Sequence, residues 1–84
     1  MRGAPDWVTL RELDERVRRP KGAAFRAFKH AALVEGRDFR VLDARADARE
    51  IAQLRAAARI YPASVNVVLL SAPAAERLAA TLRA

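Results

Sequence analysis

The chain contains no cysteine. That excludes disulfides, thiolate metal sites and cysteine nucleophiles. It has no long apolar run either. A membrane span needs about 20 apolar residues, and no apolar segment follows the first charges after Met1. Neither a signal peptide nor a membrane anchor is expected, and a cytoplasmic location is the expectation. Glycine is scarce, and no glycine-rich phosphate loop or H-E-x-x-H motif is present. Ser64 and Ser71 lie in turn and cap contexts, outside any G-x-S-x-G elbow. The single histidine, His30, has no neighbouring Asp in sequence to orient it as a base. No enzyme, catalytic residue, metal site or cofactor is expected.

One further absence is local. The stretch RVRRPKGAAFRAFKH, residues 16–30, holds no acidic residue. Arg16, Arg18, Arg19, Lys21, Arg26 and Lys29 give it six positive charges. The net charge of the whole chain is +6, so the remainder sums to zero. A basic patch on a neutral background is an electrostatic footprint for nucleic acid. Fourteen of the 16 basic residues are arginine. Arginine excess follows genome composition too, so the location of the charge says more than its type.

With 84 residues, a single domain over 1–84 is expected. The 52% hydrophobic fraction is ordinary for a globular chain, but much of it is alanine. Alanine favours helix and brings little side-chain volume to a core. A small core makes a homodimer the expected assembly, with Val65, Val67, Leu69, Leu78 and Leu82 as its candidate interface.

Residues 1–7 read as an irregular lead with Trp7 as a packing anchor. Thr9 and Glu12 form a T-x-x-E capping box, and Val8 with Leu13 suits a hydrophobic staple. Leu10, Leu13 and Val17 follow at helical spacing, so the first helix is predicted over Leu10 to Arg18. Pro20 and Gly22 break the chain. The second helix is predicted over Ala23 to Leu33, with Phe25, Phe28 and Ala32 on its buried face and Gly36 beyond its end. Residues 38–42 read as a short strand. Asp47 and Glu50 suggest a cap for a third helix over Ala48 to Arg59, with Ile51, Leu54 and Ala58 inward. Val65 to Leu70 is nearly all apolar, as in a strand buried on both faces or paired across a dimer. Ser71 caps a last helix with Pro73 in its first turn. Ala75, Leu78 and Leu82 form its apolar face. The fold class is α+β: a helix-turn-helix over about 8–36, then β-α-β-α over about 37–84, with two short strands of undecided direction.

Two amphipathic helices around a tight Pro/Gly turn fit a helix-turn-helix, whose second helix enters the DNA major groove. Arg26, Lys29 and His30 are then the groove-facing residues. Arg can hold guanine O6 and N7 together. Arg16, Arg18, Arg19 and Lys21 are phosphate partners, which position without specifying. Phe25 and Phe28, at helical spacing, are read as core, and Trp7 and Tyr61 as structural.

Thr9-Leu10-Arg11-Glu12-Leu13, the tight turn before a recognition helix, Gly36-Arg37-Asp38-Phe39-Arg40 and the Ile51/Leu54 rhythm together resemble the winged helix-turn-helix domains of the MerR and phage excisionase type, over about residues 8–60. The resemblance implies a winged-helix-like fold and double-stranded DNA as partner. It implies a small regulatory or accessory role, in transcription or on a phage or mobile element. It also places Arg37 and Arg40 on a wing, toward backbone or minor groove. The apolar strand 65–70 has no counterpart in those families. A different class of function is a protein-interaction module, inhibitor or antitoxin-like. It would dock on an acidic protein by the basic face, or augment a partner's sheet with residues 65–70.

Overall fold

The structure, a computed structural model, describes residues 7–84. The irregular lead expected over residues 1–6 lies outside the described residues. Seven elements follow in order: β1 (Val8–Thr9), α1 (Leu10–Val17), α2 (Ala23–His30), β2 (Phe39–Leu42), α3 (Ala48–Ala56), β3 (Val67–Leu70) and α4 (Ala72–Arg83). The α+β class holds, with three strands where two were expected.

The additional strand is β1. Val8 and Thr9 were expected as staple and cap, and Thr9 does cap α1. Its backbone is extended, its side chain accepts from the Glu12 N–H, and its own N–H donates to Glu12 at 2.9 Å. The same extended backbone pairs with β3, so two residues serve as both strand and cap. The sheet order is β1-β3-β2, antiparallel throughout. Val8 lies opposite Leu70, which lies opposite Phe39.

Side chains alternate across a strand, so β3 serves two cores. Val68 and Leu70 join Val8, Leu13, Ala24 and the apolar face of α4 on one side. Val67 and Leu69 join Leu42, Ile51, Leu54 and Ile60 on the other. Helices α1, α2 and α4 therefore cover one face of the sheet, and α3 covers the other. This accounts for the uninterrupted apolar run. It also removes three residues from the candidate dimer interface. Val67, Leu69 and Leu78 are each 2% exposed in the chain's own core. β2 pairs along the whole of β3 and β1 pairs with Leu69 and Leu70, so that end of β3 has a strand on both edges. Val65 falls before the strand and is 66% exposed, and Leu82 packs at the margin of the first core.

Two helix details differ from expectation. Helix α2 stops at His30 because Ala31 turns extended, with ψ at 145°. The chain then folds back so that Leu33 packs on the core. Its buried face is Ala24, Ala27, Phe28 and Ala31, while Phe25 and Ala32 are exposed. Alanines on α2 meet Ala74, Ala75 and Ala79 of α4, so the two helices approach on small side chains. At α3, Asp47 sits in the capping position without bonding the first turn. Its carboxylate accepts from the Asp43 N–H at 2.8 Å instead, closing the preceding turn. Ser71 caps α4 as expected.

Arg59 ties the start of α1 to the segment after α3. Its guanidinium donates to both Glu12 oxygens at 2.8 and 3.0 Å and to the Trp7 carbonyl at 2.9 Å. Burial alone would raise the Glu12 carboxyl, but hydrogen bonds from Arg59 and from the Thr9 N–H outweigh it and hold it below its usual value.

Helix α3 ends with Ala58 at φ +58°, and the Arg59 N–H reaches back to the Leu54 carbonyl at 2.9 Å. This closing turn favours glycine, and a Cβ in the left-handed region is strained. Ala58→Gly is expected to raise stability by about 1 kcal/mol, read as a higher urea midpoint at unchanged slope.

Candidate nucleic-acid interface

The helix pair α1–α2 is set by one carboxylate. Asp14 lies on α1, one turn after Leu10 on the apolar stripe, and is only 2% exposed. Its Oδ1 accepts from the Ala24 N–H at 2.7 Å, and its Oδ2 from the Gly22 N–H at 3.1 Å. These are amide donors at the start of α2, which its own cap residue, Gly22, has no side chain to satisfy. The negative charge also faces the positive end of the α2 dipole. Gly22 takes φ +95°, a conformation that side-chain-bearing residues rarely adopt. The Tyr61 hydroxyl donates to the same carboxylate at 2.6 Å. Burial and this contact push the Tyr61 hydroxyl up to about 12.

On that frame α2 turns Phe25, Arg26, Lys29 and His30 to solvent, with no acidic residue among them. Arg18 and Lys21 stand exposed on the turn before it. Among the described residues, the side chains of Arg18, Lys21, Arg26, Lys29 and His30 form no hydrogen bond or ion pair. Lys29 places its ammonium 5.5 Å over the Phe25 ring, and Lys21 lies 5.1 Å over Tyr61. Arg26 and His30 border a groove of about 640 Å³ between α2 and α4.

The other basic residues singled out in the sequence are placed differently. Arg19 donates twice to the Leu82 carbonyl, at 2.6 and 3.2 Å, and so caps the last turn of α4. Arg16 lies 3.7 Å from Glu76 in an exposed, weak pair. Arg37 donates to Asp38, which holds the Asp38 carboxyl below its usual range together with the Val34 N–H. Asp38 also accepts the Ser71 N–H on its backbone carbonyl at 2.8 Å, locking the turn into β2. Arg40 lies opposite Leu69 and over Trp7, on the sheet face that α3 covers. Arg37 is thus engaged by Asp38 and Arg40 by the Trp7 ring, while residues 34–37 form an exposed turn. The segment joining β2 to β3 carries α3.

Two contributors escaped the sequence reading. Asp14 had a visible signal, an acid on an apolar helical stripe. Phe25 had none, because its spacing to Phe28 fits a buried face equally well.

Asp14→Asn puts an amide NH2 against N–H donors and is expected to cost about 2–3 kcal/mol, whereas Tyr61→Phe costs about 1 kcal/mol, both by chemical denaturation. The raised Tyr61 value sets an alkaline limit. A group whose folded pKa lies above its unfolded value, here 10.0, contributes fully below that value and loses its contribution as pH rises to about 12. Thermal stability is expected to fall across that window in the wild type and less in Tyr61→Phe. No protein-family model, curated protein or solved structure matches the chain.

Proposed function

We propose that the chain binds double-stranded DNA, with α2 in the major groove and Arg18 and Lys21 on phosphates. The observation that carries this is the solvent face of α2: cations left unengaged by the fold, on a helix held rigidly at its start. An α-helix with its side chains is about 10–12 Å across, which the major groove, about 12 Å wide, admits. Arg26 suits guanine, and His30 a base edge or phosphate. Lys29 joins them on the same face. Arg16 and Arg19 contribute less, since Glu76 and the Leu82 carbonyl hold them. The helix pair with its tight turn supports the helix-turn-helix reading, and with it a regulatory or mobile-element accessory role.

A second reading draws on the groove between α2 and α4. Its floor is apolar, with Ala27, Leu78 and Leu82, and Arg19, Arg26 and His30 stand at its edge. An acidic helix of a protein partner fits that chemistry.

Fluorescence anisotropy with random duplex DNA separates the two. Binding should weaken steeply with salt, each neutralised phosphate adding about 0.9 to the log–log slope. Arg26→Ala with Lys29→Ala is expected to lower affinity at least about tenfold while leaving the circular dichroism unchanged, because both side chains are exposed. Absence of DNA binding at low salt, or a double variant that binds like the wild type, rejects the DNA reading.

A further inference from the structure

Phe25 plays no part in the cores that hold this chain together. It is 45% exposed on the first turn of α2, while Phe28 meets Phe39 edge-on at 4.9 Å and packs against the core. The ring is not loose. The Lys29 ammonium lies over one of its faces, and the Gly22 turn that precedes it is held by Asp14. A large apolar side chain thus stands beside Lys29 at one edge of the surface formed by Arg26, Lys29 and His30, next to a groove lined by Leu10, Lys21, Tyr61 and Val65.

In a helix-turn-helix the first residues of the second helix are those that reach base edges. The major groove offers one apolar group, the C5 methyl of thymine. Lys29 lies over one ring face, and in a duplex the bases are paired and stacked, so their edges are what a side chain in the groove meets. The ring's remaining edge suits a methyl contact. We propose that Phe25 selects thymine through its C5 methyl group, beside the base that Arg26 contacts. This rests on the DNA-binding reading and adds to it the base that α2 selects.

The test begins with selection of bound duplexes from a random pool by the full chain. Each thymine of the selected site is then replaced by uracil, which removes only the methyl and keeps every hydrogen-bonding group. The wild type should lose about three- to fivefold in affinity at one or two positions, as expected for one buried methyl. In Phe25→Ala the thymine-to-uracil ratio at those positions should fall to about 1, and Phe25→Leu should retain part of it. A wild-type ratio near 1 at every thymine, or a ratio unchanged in Phe25→Ala, overturns the assignment. So does a selected site without thymine. The wild-type comparison needs no variant, so it decides even if Phe25→Ala fails to fold. If no duplex is retained at low salt, the DNA reading falls as well. If duplexes are retained without methyl discrimination, only the role of Phe25 falls.

Discussion

The carboxylate of Asp14 is the constraint on which the arrangement of the helices depends. It is buried, and a buried charge is tolerated only when hydrogen bonds replace its lost water. The replacements come from the two amides that open α2 and from Tyr61, beyond α3. One group therefore links α1 to the start of α2 and holds Tyr61 against both. A helix that is to present side chains to a rigid surface needs such a fixed start. The exposed face of α2 is determined here by a residue on another helix.

The sheet sets a second constraint. β3 is the shared member, with a helix layer on each face and, at Leu69 and Leu70, a strand on each edge. At its start, Val67 and Val68 line a groove of about 400 Å³ with Phe25, Tyr61 and Val65. The strongest apolar segment of the chain is otherwise spent inside the molecule. Around it, the face of α2, the turn before that helix and the grooves beside α4 and residues 63–68 stay open to solvent.

Several features were legible in the residues because they follow from local chemistry. The Thr9/Glu12 box, the Pro20/Gly22 break and the Ser71/Pro73 start are each satisfied within a few residues, and each appears where expected. Features decided by distant partners were not legible. Two residues, Val8 and Thr9, have no periodicity, so β1 exists only because β3 passes beside it. Phe25 and Phe28 fit a helical stripe equally well, and only the second meets Phe39 of β2. The charge census could not separate Arg26 from Arg19 or Arg37. The latter two are occupied by the Leu82 carbonyl and by Asp38, contacts that only the tertiary fold creates. Of the cations in residues 16–30, Arg16 and Arg19 are thus held by groups of α4, which the charge count could not show.

The position of β3 in the chain bears on how the protein comes to be folded. Val8 must wait for Leu70, and Phe39 for the same residue, before either edge strand has a hydrogen-bonding partner. During synthesis the helix-turn-helix emerges early, yet its sheet and its α4 cover come last. Non-local pairing of this kind slows folding, because loop closure precedes the contacts that reward it. The nascent chain therefore exposes its cationic helix pair without the packing that shapes it, and native geometry arrives only when nearly the whole chain is free to fold. Assembly is closer to a single late event than to a progression from the first residue onward.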